Sequence, residues 1–413
     1  MDNITQNSVI QQLISLLPFH VDQRCMFDHY AKKLTVAKSI ILFTIALLDK
    51  WPSYGAIETK LRANENLQKA LHLPEISGSQ LCRKLNEIPT EFFQEIFLKL
   101  VAELGQHSAG DTGISKAIGK LGIIDSTSLH VPFSIGDWAR LSSRDSSVKM
   151  HLRLIVASPE TVYPDHMIPT TRNYDDREIA VDMVTDTAVT YVMDRGYVKY
   201  GTMDRWAENK TQFVMRINNS HITTILEERA IPEGTRILKD AIVLLGGASK
   251  SMKQSIRLIE FADEKGRFYR VVTTRYDLRA EEVAEIYRHR WLIELYFKWM
   301  KQHLRLVKLF SYKPQAVWNQ MFMALIGYLL MLKLKRKGNF SKSPWKILEA
   351  LTAHLAKTWE SFMAEVERKP TRGSKGRQRK SDATPSVTQL ESSIGRIKPR
   401  KANPRKRKAK KIK

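Results

Sequence analysis

Residues 287–301 read YRHRWLIELYFKWMK, an apolar run in which long polar side chains recur at helical spacing. If the stretch is one α-helix with about 100° per residue, four of these side chains share an arc of about 60°. They are Tyr287, Arg290, Glu294 and Lys301, with Lys298 at the edge of the arc. Because aromatic and aliphatic residues fill most of the remaining surface, we expect a buried helix that carries a polar stripe.

A carboxylate on a buried helix must be balanced, since an unpaired charge is costly inside a protein. One explanation is an internal ion-pair ladder that joins Glu294 to Arg290 and Lys298. The other is a functional site, in which the acid binds a cation and the basic residues bind an anion. The stretch alone leaves both explanations open.

The polar stripe resembles the Y-(2)-R-(3)-E-(6)-K signature of the insertion sequence 4 (IS-four) family of DDE transposases, with all four positions at the same spacing. In that family the Glu is the third catalytic acid, and the Tyr, Arg and Lys contact DNA. The resemblance implies that Glu294 is catalytic and that Tyr287, Arg290 and Lys301 bind phosphates. We expect Lys298, beside them, to contact DNA as well.

Two aspartates upstream occupy the settings that such a site requires. Asp125 ends the apolar run LGIID, and Asp194 ends VTYVMD, so both are predicted at the ends of strands. A lone aspartate there is often a cap of the next turn. Two such strands followed by a helix with Glu294 give a ribonuclease-H-like layout, and DRGY from Asp194 resembles the second-acid motif of the family. We therefore predict an α/β fold with a ribonuclease-H-like mixed sheet, in which Gln212–Asn218 is a fifth strand.

The three acids suit phosphodiester cleavage and strand transfer, which require an activated oxygen nucleophile and stabilisation of charge on phosphorus. Two Mg²⁺ ions about 3.5–4 Å apart meet both needs, and we expect that Mn²⁺ can substitute. Mg²⁺ prefers carboxylate oxygens and keeps several waters, so three carboxylates suffice. We predict that Asp125 bridges the two ions, while Asp194 and Glu294 each complete one site.

Further DNA contacts are expected from basic residues near the aspartates. In the strand predicted over Val148–Ser158, Lys149 and His151 lie on a polar side that suits a DNA track, although an amphipathic outer strand would look the same. Arg195 directly follows the second aspartate and is expected to contact DNA too. Near the N-terminus, Ser77–Leu85 resembles the second helix of a helix-turn-helix unit, with Arg83 and Lys84 as DNA contacts; the alternative is an ordinary amphipathic hairpin.

Composition favours a polyanionic partner. The chain has 413 residues, 43% of them hydrophobic, and a formal net charge of +24, which indicates nucleic acid or an anionic membrane. The longest apolar candidate, Met321–Leu332, is too short to span a bilayer and is predicted to be a buried core helix.

Only Cys25 and Cys82 occur, and the N-terminus lacks a signal-peptide layout, which favours a reducing cytoplasm. We expect no membrane partner and no small-molecule substrate.

Four regions are predicted along the chain. They are a helical DNA-binding domain over 1–110, a ribonuclease-H-like catalytic domain over 115–335 with a β-rich insertion at about 219–277, C-terminal helices over 336–367, and a disordered basic tail over 368–413. Ser343 is predicted to cap a helix that begins at Pro344. The tail has 18 Lys and Arg against two acids, hence +16 of the +24, and should bind phosphate backbones without sequence choice, or serve only solubility.

The insertion bears on the route of excision. In relatives that form DNA hairpins, an aromatic residue there, often Trp, stacks on a flipped base. This insertion contains no Trp; Phe268, Tyr269 and Tyr276 are candidates, although strand aromatics more often belong to the core.

The resemblance implies a transposase that binds the terminal inverted repeats of an insertion sequence, cuts there with Mg²⁺ and joins the ends to target DNA. Holding two ends together implies a homodimer on DNA, acting in the cytoplasm at the nucleoid. A metal-dependent nuclease without joining activity and a catalytically inactive DNA-binding regulator are the alternatives.

Overall fold

The computed structural model describes residues 8–18, 28–132, 137–140, 142, 146–304, 306, 308–355 and 357–368. Its α-helices are α1 Val9–Ser15, α2 Val36–Leu48, α3 Tyr54–Arg62, α4 Glu65–Leu71, α5 Gly78–Glu87, α6 Thr90–His107, α7 Asp176–Met183, α8 Tyr200–Glu208, α9 Ala280–Arg288, α10 Trp291–His303, α11 Pro314–Lys337, α12 Pro344–His354 and α13 Trp359–Glu367. Its strands are β1 Leu121–His130, β2 Ser147–Ser158, β3 Thr161–Thr171, β4 Thr190–Met193, β5 Gln212–Arg216, β6 Thr223–Glu228, β7 Ile237–Gly247, β8 Lys250–Ser251, β9 Ile256–Ala262 and β10 Phe268–Thr273. Apart from Arg368, the predicted basic tail lies outside the described residues.

The strands form a large mixed sheet. Within the described residues the order is β3-β2-β1-β4-β5-β10-β9-β7-β6, with β8 paired to β7. β1 runs parallel to β4, and β4 to β5, whereas β2 runs antiparallel to both of its neighbours, β1 and β3. Residues from Met150 to Ala157 of β2 are all buried, as expected for a strand that is covered on both faces. The mixed α/β class predicted from the sequence is confirmed.

The first predicted strand is longer than expected. β1 continues past Asp125 to His130, so the prediction that the strand ends at this acid is wrong. β2 pairs with β1 along its whole length, and these backbone hydrogen bonds keep the second half of β1 extended. Asp125 lies where the strand leaves the buried core for a partly exposed region. β4, in contrast, ends directly before Asp194, as predicted.

Helix α11 lies at the centre of the helical part of the protein. It packs against α2, α5, α6 and α12 and reaches β3, so it joins the N-terminal helices to the sheet. By length and composition it could cross a membrane, yet 83% of its apolar window is buried inside the protein. The prediction that Met321–Leu332 belongs to a buried core helix is confirmed, although the helix is twice as long as that stretch. The prediction that a helix begins at Pro344 with Ser343 at the N-cap position is also confirmed, although the Ser343 side chain makes no capping hydrogen bond within this part of the described chain.

The strands expected in the insertion continue the main sheet. β10 pairs with β5 in antiparallel fashion, so β6, β7 and β9 extend the sheet from that edge. A buried ion pair joins two of these strands: Arg257 in β9 contacts Asp240 in β7 at 2.6 Å. Arg257 also donates to the backbone carbonyls of Arg275 and Leu278, at 2.9 and 2.6 Å. These contacts fix the connection that enters α9, and through it they fix the position of the polar stripe.

Candidate active site

The predicted single helix over residues 287–301 is two helices. α9 ends and α10 begins on either side of His289 and Arg290. At the junction the N–H of Leu292 donates to the carbonyl of His289 at 2.9 Å, an i→i−3 bond that tightens the turn. The apolar periodicity runs through the junction, which is why the sequence does not reveal it. The prediction that these side chains share one arc of a single helix is therefore wrong, because Tyr287 lies in α9 and Glu294, Lys298 and Lys301 lie in α10.

Two side chains of the stripe link the three predicted acids. Arg290 Nη1 lies 3.4 Å from Asp125 Oδ2, and its Nη2 lies 2.5 Å from Glu294 Oε1. The Tyr287 hydroxyl donates to Asp194 Oδ1 at 3.3 Å. The Arg290 guanidinium lies 6.0 Å from the centre of the Tyr287 ring. Carboxylates from β1, from the end of β4 and from α10 thus surround one arginine and one tyrosine.

The two lysines of the stripe lie beside this group. Lys301 Nζ donates to the carbonyl of Ser128 in β1 at 3.2 Å, so its ammonium is directed toward the strand that carries Asp125. Lys298 is half-buried and forms no ion pair within the part of the chain that the structure describes. The ion-pair ladder considered as an alternative is present in part: Arg290 pairs with Glu294, whereas no Glu294–Lys298 ion pair occurs among the described residues.

Arg216 belongs to the same neighbourhood and was not singled out from the sequence. β4 and β5 run parallel, and Asp194 and Arg216 directly follow the last paired residues, Met193 and Met215. Its guanidinium lies 4.9 Å from the centre of the Tyr269 ring, and no ion pair to it occurs among the described residues. The fifth strand was predicted, but its register against β4 was not, and the register is what identifies Arg216.

The aromatic residues considered as base-stacking candidates differ in exposure. Tyr269 stacks on Phe261, with ring centres 5.3 Å apart, and is partly buried. Phe268 and Tyr276 are 40% and 43% exposed. Trp291, one of the apolar residues of the helix predicted to be buried, is 53% exposed at the start of α10. An exposed indole one turn before Glu294 is a surface on which a nucleic-acid base can stack.

The basic residues of β2 are engaged inside the protein. Lys149 Nζ lies 3.1 Å from the Asp176 carboxylate, and His151 Nδ1 lies 3.2 Å from it. His151 is 1% exposed, with Nε2 2.8 Å from Thr170 Oγ1. Burial lowers the pKa of His151 to about 4, against the opposing effect of Asp176. This face of β2 therefore holds α7 against the sheet, and Lys149 and His151 contact Asp176 of α7 instead of lining a DNA track.

The remaining predicted contacts differ in their exposure. Arg195 is exposed, with Nη1 3.2 Å from Asn218 Oδ1. On α5, Arg83 is exposed, whereas Lys84 is 9% exposed and contacts Asp28 at 2.8 Å. Ser77 caps α5 through a capping box, and the helix begins at Gly78. Of the two basic residues on this helix, Arg83 is the one that can reach a partner.

The electrostatics of the site centre on Asp125. Burial raises the pKa of Asp125 to about 6. The Ser126 backbone N–H, which donates at 2.8 Å, and the Arg290 guanidinium oppose that effect, while the nearby charges of Asp194 and Glu294 add to it. The Ser126 N–H and the Arg290 guanidinium therefore do not fully offset the effect of burial on the Asp125 carboxylate.

A divalent ion would supply the missing positive charge. Among the described residues, no three His, Cys, Asp or Glu side chains form a group that could hold one ion. Two carboxylates per ion are sufficient, however, because Mg²⁺ keeps several waters and also binds substrate phosphates. The oxygen donors of Asp125, Asp194 and Glu294 fit Mg²⁺ on that basis, provided that Arg290 yields its position between two of them.

The chain is similar in sequence to known transposases. The family model described as transposase DDE domain matches residues 117–330. A protein of Geobacillus stearothermophilus named as a transposase for insertion sequence element IS5377 is 26% identical over 372 residues, which cover 88% of this chain and 94% of the relative. Transposase y4zB of Sinorhizobium fredii is 29% identical over 248 residues, covering 59% and 67%. A Synechocystis protein named for insertion sequence element IS4SA is 29% identical over 147 residues, covering 34% and 39%.

Proposed function

Since the chain belongs to the IS-four-like family of DDE transposases, we propose that it binds the terminal inverted repeats of an insertion sequence, cuts the DNA there and joins the ends to a target. The observation that carries this proposal is the linkage of Asp125, Asp194 and Glu294 through Arg290 and Tyr287. Arg290 contacts Asp125 across 165 positions of the chain. Ion pairing alone would not require a third acid there.

The acids are proposed as the metal ligands. Asp125 would be shared between two ions, with Asp194 and Glu294 each contributing to one of them. Bound Mg²⁺ or Mn²⁺ lowers the pKa of a coordinated water or hydroxyl and stabilises charge on the leaving oxygen. The protein contributes positions for these ligands, and the partial burial of Asp125 excludes water around it and strengthens every charge interaction in the site.

The basic and phenolic side chains are proposed to bind the DNA backbone. Arg290 suits two oxygens of one phosphate, because its planar guanidinium donates in parallel, while Lys301 and Lys298 would act as point charges. The Tyr287 hydroxyl, which donates to Asp194, can orient that carboxylate or donate to a phosphate. Arg216 beside Asp194 and the exposed Arg195 would extend this surface.

The architecture of the domain supports the same proposal. The order β3-β2-β1-β4-β5, with antiparallel pairs followed by parallel ones, supports a ribonuclease-H-like core over residues 115–335. Helix α5, with Arg83 on its exposed side, is the proposed DNA-reading element of the N-terminal region. Two such chains would hold two ends as a homodimer, in the cytoplasm at the nucleoid.

Incubation of the full chain with a labelled duplex and Mg²⁺ tests the proposal. The duplex should carry the inverted repeat found in the DNA that flanks the gene. The account predicts cutting at the repeat boundary and joining of pre-cut ends to a second duplex. Cutting without joining would identify a nuclease of the same fold, and binding without any Mg²⁺-dependent cutting would identify a regulator.

A further inference from the structure

The Arg290 guanidinium occupies a position between two of the acids. It lies 3.4 Å from Asp125 Oδ2 and 2.5 Å from Glu294 Oε1. Its side chain is 15% exposed, and those of Asp125 and Glu294 are 23% and 35% exposed. Among the described residues no other basic side chain forms an ion pair with either acid. Arg290 is therefore the cation that holds these two carboxylates together.

A divalent ion and Arg290 would compete for the same two carboxylates, of which Arg290 contacts Oδ2 of Asp125 and Oε1 of Glu294. A carboxylate oxygen that accepts a charged hydrogen bond from a guanidinium has one lone pair fewer for a metal, and the positive charge repels the ion. An ion shared by Asp125 and Glu294 must therefore displace Arg290 from at least one of them. Once displaced, the guanidinium is a donor without an acceptor in a partly buried place, which is unfavourable.

A phosphate can supply the acceptor that the displaced Arg290 guanidinium lacks. Arginine binds phosphate bidentately, with charge-assisted bonds that match those it makes to a carboxylate. The acids and the basic residues of the stripe lie side by side, so a phosphate close to the metal ions is within reach of the same arginine. Metal binding to the acids and DNA binding to Arg290 would then favour each other.

We propose, on the basis of the transposase function above, that Arg290 acts as an exchangeable internal cation: it neutralises Asp125 and Glu294 in the metal-free protein and moves to a DNA phosphate when divalent ions bind. The exchange couples the two ligands thermodynamically, so each raises the affinity of the protein for the other by the same factor. Arg290 thereby stabilises the site in the absence of metal. The Asp125 and Glu294 carboxylates become fully available to divalent ions only when DNA is present.

Binding of Mn²⁺ to the full chain without DNA tests the first half, with the free ion measured by electron paramagnetic resonance. Arg290→Gln should bind Mn²⁺ about tenfold more tightly than the wild type, because a competing charged contact has been removed. Arg288→Gln is the matched control, since Arg288 is exposed and forms no ion pair among the described residues; its Mn²⁺ affinity should equal that of the wild type. Equal affinities for the wild type and Arg290→Gln would overturn the proposal.

Stability provides a readout that does not depend on a measured affinity. Without metal, Arg290→Gln should melt at a lower temperature than the wild type, and Mn²⁺ should raise its melting temperature by more than it raises that of the wild type. Arg290→Lys, which keeps the charge but cannot bridge both acids, should fall between the two. It also replaces Arg290→Gln should the latter fail to fold. Identical Mn²⁺-induced shifts in all three proteins would contradict the exchange.

The second half is tested by DNA binding. Fluorescence anisotropy with an end duplex should show tighter binding in Ca²⁺ than in EDTA for the wild type and for Arg288→Gln, and a smaller difference for Arg290→Gln. An equal Ca²⁺ effect in all three proteins would overturn the coupling. Cutting and joining of ends by the wild type is scored separately, so loss of this inference leaves the proposed function standing.

Discussion

The hydroxyl of Tyr287 donates a hydrogen bond to Oδ1 of Asp194 at 3.3 Å, across 93 positions of the chain. Tyr287 is buried at the end of α9, and Asp194 directly follows β4. The contact joins the helix that precedes the break at His289 to the parallel part of the sheet. It gives the tyrosine of the sequence signature a role in the protein itself, in addition to any contact with DNA.

Replacing Tyr287 by Phe should therefore lower the rate of end cleavage about tenfold, because a hydrogen bond to a charged group is worth about 1.5–3 kcal/mol. The rate constant under single-turnover conditions is the appropriate measure, with end binding followed by anisotropy. Tyr276→Phe is the control, since this exposed tyrosine donates to the Ser255 carbonyl in the insertion and should cut at the wild-type rate. An unchanged rate in Tyr287→Phe would show that the contact does not orient Asp194 for the reaction.

The raised pKa of Asp125 predicts how stability depends on pH. Burial moves this pKa from 3.8 to about 6, so between these values the folded protein binds a proton that the unfolded chain releases. Stability contributed by this group is therefore lost as pH rises through that window, and the full penalty applies above it. In metal-free buffer, Asp125→Asn should unfold at higher denaturant concentration than the wild type at pH 7, with a gain of up to about 3 kcal/mol. The difference should shrink toward pH 4, and a less stable variant at pH 7 would contradict the account.

Two neighbouring residues of α5 should respond differently to substitution. Lys84 is buried against Asp28, and Asp28 also accepts from the N–H of Val36 at the start of α2. Lys84→Ala should therefore cost about 3 kcal/mol, because it leaves a carboxylate buried without its partner. Arg83→Ala should change stability by less than about 0.5 kcal/mol but weaken binding to the inverted repeat. Chemical denaturation and anisotropy separate the two effects, and equal loss of stability in both variants would be inconsistent with the structure.

The basic tail is predicted to supply affinity without sequence choice. Removal of residues 369–413 should weaken binding to random duplex and reduce the slope of log affinity against log salt, by about 0.9 for each phosphate contact that is lost. Cutting at the repeat should persist at low salt, because the candidate acids lie outside the tail. An unchanged salt slope would leave the tail with a role in solubility only.

Spacing and residue type suggested Asp125, Asp194 and Glu294 as candidate acids, and the structure places these three side chains around Arg290 and Tyr287. The elements that carry them were predicted less well. The break at His289 and the extension of β1 beyond Asp125 were missed, because both depend on pairing and packing with distant segments. Arg216 was not predicted as a site residue because its position depends on the register of β5 against β4. The sequence of a strand does not show which residues of the neighbouring strand it pairs with.

Burial explains the differences among the predicted DNA contacts. Lys84 and His151 occur in patterns typical of exposed basic residues, yet each lies inside the protein near an aspartate from another element. A single sequence does not show which charges will meet. The reverse holds for Trp291, whose apolar character suggested burial although its indole is half exposed.

The most direct test of the central claim is end cleavage by three conservative variants, Asp125→Asn, Asp194→Asn and Glu294→Gln, in Mg²⁺ and in Mn²⁺. Each removes one charged ligand and leaves the shape of the side chain nearly unchanged. The account predicts that none of the three cuts the inverted-repeat duplex above background, while all bind it with affinity close to that of the wild type. Cutting at the wild-type rate by any one of them would contradict the assignment of these three carboxylates as the catalytic acids.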